Sequence, residues 1–305
     1  MAALIKQVAL VSTSPAVPPR IVMQVLAALQ KQATRDLAGI WDVSATVDPF
    51  ERLEDVPVGS WPIIISDHLD GNSAGFHRTQ NGQPMAMVYA TPDINTLSLI
   101  CSHEMVEMLV DPFGSRFIPG DSPDPNQGRV NFLIEACDPC QASNCGYTVN
   151  NLMVSDFYTP NYFDPIKTPG VRYSFTGAIN EPRQVLKGCY LSWQDPASLK
   201  CFQQLWLGSD APEIRDLGPQ TDGLLSPREF IDRASNAHSY EYFAQGRRVA
   251  LMASTITAAS LDETNVAQAN NWHDFIVSKL ALSNAYNNNR MATSIRPVPR
   301  APTTV

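Results

Sequence analysis

Apolar and polar positions along the first third of the chain switch between two periods. Residues 5–12 read as a strand. After Pro18-Pro19, residues Ile21, Val25, Leu26, Leu29, Ala33 and Leu37 recur at helical spacing and predict a helix over 20–37, with Gly39 as its stop signal. Residues 41–47 alternate as a strand, 49–59 form an acidic loop, and WPIIIS at 61–66 is a buried strand by its β-branched run. A turn-rich loop at 67–73 follows. Gly75-Phe76-His77 starts a short strand, Asn81-Gly82 is a hairpin signal, and 85–90 is the returning strand. This order of strands and helices predicts an α+β fold, a mixed sheet with helices packed against it.

The next stretch, LSLICSHEMVEMLVDP at 97–112, carries the chemistry. Leu97, Ile100, Cys101, Met105, Met108 and Leu109 recur at helical spacing, so it reads as an amphipathic, largely buried helix that ends at Pro112. Residues four apart share one face of a helix, so His103 and Glu107 can offer an imidazole nitrogen and a carboxylate oxygen to one ion. Glu104 lies about 100° away, where it can hold a water on that ion. The arrangement is that of an HExxH zinc helix with Glu107 in place of the second His. Asp111 adds a carboxylate one turn further on. Unpaired charge among apolar residues is costly, so the set calls for a cation or for mutual pairing.

Beyond Pro112 the pattern loosens. Residues 113–129 form a Gly/Pro/Asp-rich loop, and the apolar segment 130–136 delivers Glu135 and then Asp138. YTVNNLMVSDFY at 147–158 predicts a hairpin through Asn150-Asn151, with β or irregular structure to Trp193. A short helix is expected around 198–206, then a polar loop through Pro219. Ser226 as N-cap with Pro227 in the first helical position opens another helix. Helices are expected over 247–259 and 263–286, and a Pro-rich basic tail over 291–305.

Composition narrows the class. The 305 residues are 44% hydrophobic and 17% charged, which suits a globular protein with ample core, and a net charge of −8 argues against a nucleic-acid backbone as partner. No run of about 18 apolar residues exists, so no membrane span is expected. Lys6 and Gln7 interrupt the N-terminal apolar run, which reads as a strand and not as a secretory signal, pointing to the cytoplasm or a particle assembled there. Of six Cys, Cys137, Cys140 and Cys145 cluster as CDPCQASNC. That is a zinc-knuckle spacing lacking an evident fourth ligand, and free thiols or one local disulfide fit as well. His77 is a cleft candidate or a surface His, His68 belongs to a turn, and His238 and His273 read as structural. Tyr147, Tyr158 and Tyr162 are hydroxyls near the predicted site whose plainer role is packing.

SHEMVEMLVDP, the downstream IEACDPC and VSDFYTPNYFDP, and the preceding GFHRTQNGQPMAMVYA together resemble a group of zincin-like, metallopeptidase-related proteins. The resemblance spans roughly residues 1–190 and implies a twisted mixed sheet, a backing helix at 20–37 and the metal helix. Carried over by position, it makes His103 and Glu107 metal ligands, Glu104 the general base, Glu135 a third ligand, and Asp138 a supporting or alternate ligand with Asp111. Zinc is the expected ion, with manganese, calcium or iron compatible with so oxygen-rich a set. The expected organisation is a zincin-like metal-binding domain over 1–194, a mainly helical C-terminal region over 195–290 and the tail. Two functions follow. One is a zinc peptidase-like hydrolase acting on a peptide or protein. The other is a structural or assembly protein on a zincin scaffold, virion-associated for example, that forms a homo-oligomer or larger assembly through its C-terminal region.

Overall fold

The computed structural model describes residues 5–69, 74–142, 144–206, 211–221, 223 and 225–235, all in one compact unit of the chain. The helices expected over 247–259 and 263–286, the tail over 291–305, and His238 and His273 lie outside the described residues. The described part is a mixed α+β structure with several sheets.

Strand β1 (Lys6–Ser12) leads to α1 (Pro19–Lys31), which starts with proline in its first turn, where the missing N–H costs nothing. The helix does not stop at Gly39. It widens into a π-helical stretch (Gln32–Leu37), continues as α2 (Ala38–Trp41) and ends at Asp42 in the left-handed region (φ 53°). Trp41 is therefore helical, and strand β2 runs later than expected, Ala45–Phe50. Then come β3 (Trp61–Ser66), β4 (Gly75–Gln80) and β5 (Gln83–Tyr89). Asn81 (φ 49°) and Gly82 (φ 79°) make the β4–β5 turn, both at the positive φ a type I′ turn requires. The sheet order is β2-β1-β3-β5-β4, parallel except for the edge strand β4, which pairs antiparallel with β5.

Helix α3 (Ile94–Val110) begins three residues before its expected start. Asp93 caps it, accepting the Thr96 N–H at 2.9 Å. Every residue from Thr96 to Val110 is buried, so α3 is enclosed on all sides. One face of the sheet (Val8, Leu10, Ile63, Ile65, Ala86, Val88) shares a core with Val25 and Leu29 of α1 and Leu97, Ile100 and Cys101 of α3. Each such Leu or Ile contributes on the order of 1.5–3 kcal/mol by leaving water.

The region expected to be a loop after α3 contains β6 (Phe117–Asp121), which pairs with β7 (Arg129–Leu133). The predicted Asn-Asn hairpin is β8 (Tyr147–Val149) and β9 (Leu152–Val154), with Asn150 and Asn151 at positive φ. The chain then adds β10 (Tyr190–Gln194), β11 (Lys200–Leu205) and β12 (Glu213–Pro219) to an antiparallel sheet ordered β12-β11-β10-β7-β6. The helix expected over 198–206 is thus strand β11, and the expected loop before Pro219 holds edge strand β12. Cys201, Gln203 and Leu205 alternate inward with half-buried Phe202 and Gln204, a period of two. Before β11 the chain makes only a turn, where Asp195 accepts the N–H groups of Ala197 and Ser198. The expected boundary after residue 194 falls between β10 and β11, neighbours in this sheet. Helix α4 (Pro227–Ser235) follows as expected, with a capping box: Glu229 N–H donates to Ser226 Oγ and Ser226 N–H to Glu229 Oε2.

Candidate functional site

Three pieces of chain converge on α3. The helix supplies His103, Glu104 and Glu107, and edge strand β4 supplies His77. The segment after β7 supplies Glu135 and, at the start of a tight turn, Asp138; α4 supplies Arg228. All are buried: His103 is 4% exposed, Glu107 0% and Arg228 3%. Edge strand β4 packs against α3 at Gly75, where a Cβ would lie 2.7 Å from Glu104 Oε1 and 2.9 Å from Ile100 Cγ2. Only glycine permits that approach.

Glu107 is the hub. Its Oε2 stands 3.1 Å from Arg228 Nη1, 3.2 Å from His103 Nε2 and 3.7 Å from His77 Nδ1, while its Oε1 accepts the Cys137 N–H at 3.1 Å. Burial works to raise the Glu107 pKa, but the positive charges of His103 and Arg228 outweigh it and hold the carboxylate well below the usual range. Burial likewise works to lower His103, yet Glu107 and Asp138 outweigh it and raise the imidazole to about 10. Asp138 Oδ1 lies 3.4 Å from His103 Nε2. Burial first, and then the Glu107 charge, push the Asp138 carboxyl well up, and Tyr190 hydrogen-bonds it. Arg228 also contacts Glu135 Oε2, and its Nε is 3.2 Å from Asp232, one turn along α4.

Much of this cluster lacks hydrogen-bond partners. Both ring nitrogens of His77, His103 Nδ1, Glu104 Oε2, Glu135 Oε1, Asp138 Oδ1 and the Tyr158 hydroxyl are buried without one. Buried polar groups are normally satisfied, so this concentration is informative. Two sets of three donors have ligand atoms within 4.8 Å of one another: His77, Glu107 and Glu135, and His103, Glu107 and Cys137.

The sequence-predicted residues fare differently. His103, Glu104, Glu107, Glu135 and Asp138 lie together in this cluster, and His77 is in it, fully enclosed. Asp111 instead organises the corner after α3, where its Oδ2 accepts the Arg116 N–H at 2.8 Å. His68 lies in the loop after β3, its N–H on Ser66 Oγ. Tyr147 donates to Asp36 and Tyr162 to the Gln184 carbonyl, which leaves Tyr158 as the hydroxyl near the carboxylates. All six cysteines are buried, and none is joined in a disulfide.

Sequence reasoning missed Arg228, Tyr190 and the place of Cys137, which it grouped with Cys140 and Cys145 and not with Glu107. Arg228 had a readable signal. It lies in register with Ile231 and Ser235 on the buried stripe of α4, an unusual place for a guanidinium without a buried partner. Tyr190 and Cys137 carried no such signal, because their roles depend on long-range pairing of β10 and on a backbone N–H. Searched against models of protein families, against curated proteins and against solved structures, the chain matches none of them.

Proposed function

We propose that this cluster binds one divalent cation in a zincin-like setting and that the protein is a metal-dependent hydrolase of peptide bonds. The observation that carries the reading is the concentration of unpartnered buried donors around Glu107, imidazole nitrogens and carboxylate oxygens that a cation would satisfy together. His103 and Glu107, one turn apart on α3, would hold the ion, and His77 and Glu135, whose donor atoms lie within 4.8 Å of that of Glu107, would complete the set. Such a set accepts zinc, with manganese, iron or calcium as harder alternatives. When bound, the ion would polarise a carbonyl and lower the pKa of a coordinated water toward ~7. Glu104, with Oε2 free of hydrogen bonds, would take the proton of the attacking water and deliver it to the leaving amine. Asp138 would orient the His103 ring through Nε2, and Tyr190 would hold Asp138.

A second reading is supported by the burial of the whole set: an ion closed in by protein is structural, and the scaffold then serves assembly. Metal analysis of the purified protein followed by a broad peptide library, run on wild type and Glu104→Gln, separates the two. For the hydrolase, the substitution keeps the metal content and lowers turnover by at least ~10²-fold. Metal-loaded wild-type protein that cleaves no peptide leaves the structural reading standing.

A further inference from the structure

The donors His77, Glu107 and Glu135 face one another across less than 4.8 Å, and Arg228 Nη1 contacts the Oε2 atoms of both carboxylates. An ion about 2.0–2.2 Å from those two oxygens would overlap the guanidinium, and two cations so close would repel strongly in a buried site. The position takes one or the other. The guanidinium, a donor only, meets carboxylates and leaves both His77 nitrogens without a partner. A metal would engage the imidazole as well. His77 is 1% exposed and its Nδ1 is 3.7 Å from Glu107 Oε2, so its orphaned state is independent evidence that the position is built for a ligand other than arginine.

Arg228 arrives on an element suited to leave. Helix α4 is capped by its own Ser226 and Glu229, so its first turn needs no outside partner. Its apolar anchor is a small satellite cluster, Ile231 with Leu133 and Cys201, apart from the main core. Its N-terminus is seated by the Arg228 N–H on the Gly114 carbonyl at 3.1 Å. Gly114 has φ 58°, and a Cβ there would lie 2.8 Å from Arg228 Cβ and 3.1 Å from Ser226 Oγ.

We propose that Arg228 is the resident counter-ion of a cation position formed by His77, Glu107 and Glu135, and that a divalent ion and helix α4 are alternative occupants of it. This rests on the metal-binding reading above and adds its regulation: loading the ion expels the guanidinium and releases α4, opening the buried cluster on that side. The full-length protein, stripped with a chelator, is titrated calorimetrically with zinc and separately with manganese as wild type, Arg228→Met, Gly114→Ala and His103→Ala. Arg228→Met is expected to bind at least tenfold more tightly than wild type. Gly114→Ala, which alters no donor and obstructs the seat of α4, is expected to shift affinity the same way and covers the case in which Arg228→Met fails to fold. In the wild type, the metal is expected to speed protease cleavage in or beside α4, mapped by mass spectrometry. Affinity unchanged or weakened in both folded variants, with wild-type binding intact and lost in His103→Ala, overturns the exchange but spares the metal site. Equal cleavage with and without metal also overturns the exchange. No binding by any variant overturns both.

Discussion

Two polar clusters among the described residues are built to opposite standards. In the first, next to the π-helical stretch, Asp36 receives the Tyr147 hydroxyl at 2.8 Å and the Arg35 guanidinium at 2.5 and 2.8 Å, while Gln32 Nε2 donates to Tyr147 and to the Ser155 carbonyl. Apart from Gln32 Oε1, its side-chain polar atoms are matched. In the second, around Glu107, several donors and acceptors from four segments meet and are left without hydrogen bonds. The same chain satisfies one set, which reaches the surface through half-exposed Arg35, and leaves the other, enclosed throughout, wanting. A buried cluster left incomplete costs stability, so the contrast supports the proposed reading of the α3 cluster as a binding place, with the Asp36 cluster as architecture.

The sharpest way to break this contrast is His103→Ala. It removes a proposed ligand and strips Glu107 and Asp138 of a buried cation, so bound metal should be lost, and the metal-free protein should be destabilised by roughly 3–5 kcal/mol in denaturant titrations. A metal-replete His103→Ala protein of wild-type stability would erase the distinction between the clusters.

The next effect is a pH dependence, measured on the metal-free protein. The folded-state pKa of His103 is raised to about 10 from an unfolded value near ~6.5. A raised pKa means that the folded state holds the proton longer. The His103 contribution is therefore complete below about pH 6.5 and is lost as pH climbs through about 10. Tyr147 is also raised, by burial and then by Asp36, but from an unfolded value of ~10, so the Asp36 cluster adds no slope from this group in that window. Stability curves from pH 6 to 10 should slope down in wild type and flatten in His103→Ala. Parallel curves would mean that the imidazole carries no shifted proton.

The smallest effect belongs to Tyr147→Phe. Asp36 keeps Arg35 but loses one donor, which should cost about 1–3 kcal/mol and leave metal affinity unchanged. A change in metal affinity would show that the two clusters are coupled.

Much of the fold was legible because it rests on local rules. The Asn-Gly and Asn-Asn turns, the WPIIIS strand and the Ser226–Pro227 helix start each announce themselves within a few residues. The core of the site was legible too, since helical spacing alone puts His103 and Glu107 together. Two kinds of feature were not. Segment 200–205 alternates with glutamines at both inward and outward positions, so its polarity hides its period; only pairing with β10 and β12 makes it a strand. The place of Arg228 on the buried stripe of α4 calls for a buried partner, but Glu107 is 121 residues away in the chain and no local pattern names it.

The π-helical stretch between α1 and α2 has a consequence for the counting of residues. Such a bulge holds one residue more than the α-helix it interrupts. At about 100° per residue, an unbroken α-helix from Val22 would turn Trp41 well away from the core side, whereas in the structure both are buried and Trp41 Nε1 reaches the Tyr158 carbonyl. The bulge absorbs the surplus residue, and with it Gln32, Ala33, Asp36 and Leu37 all face inward. Deleting exposed Thr34 would leave a plain helix with Trp41 still in phase but would move Asp36 relative to Tyr147. The Asp36 network thus depends on the extra residue that the bulge holds, whereas the phase of Trp41 does not.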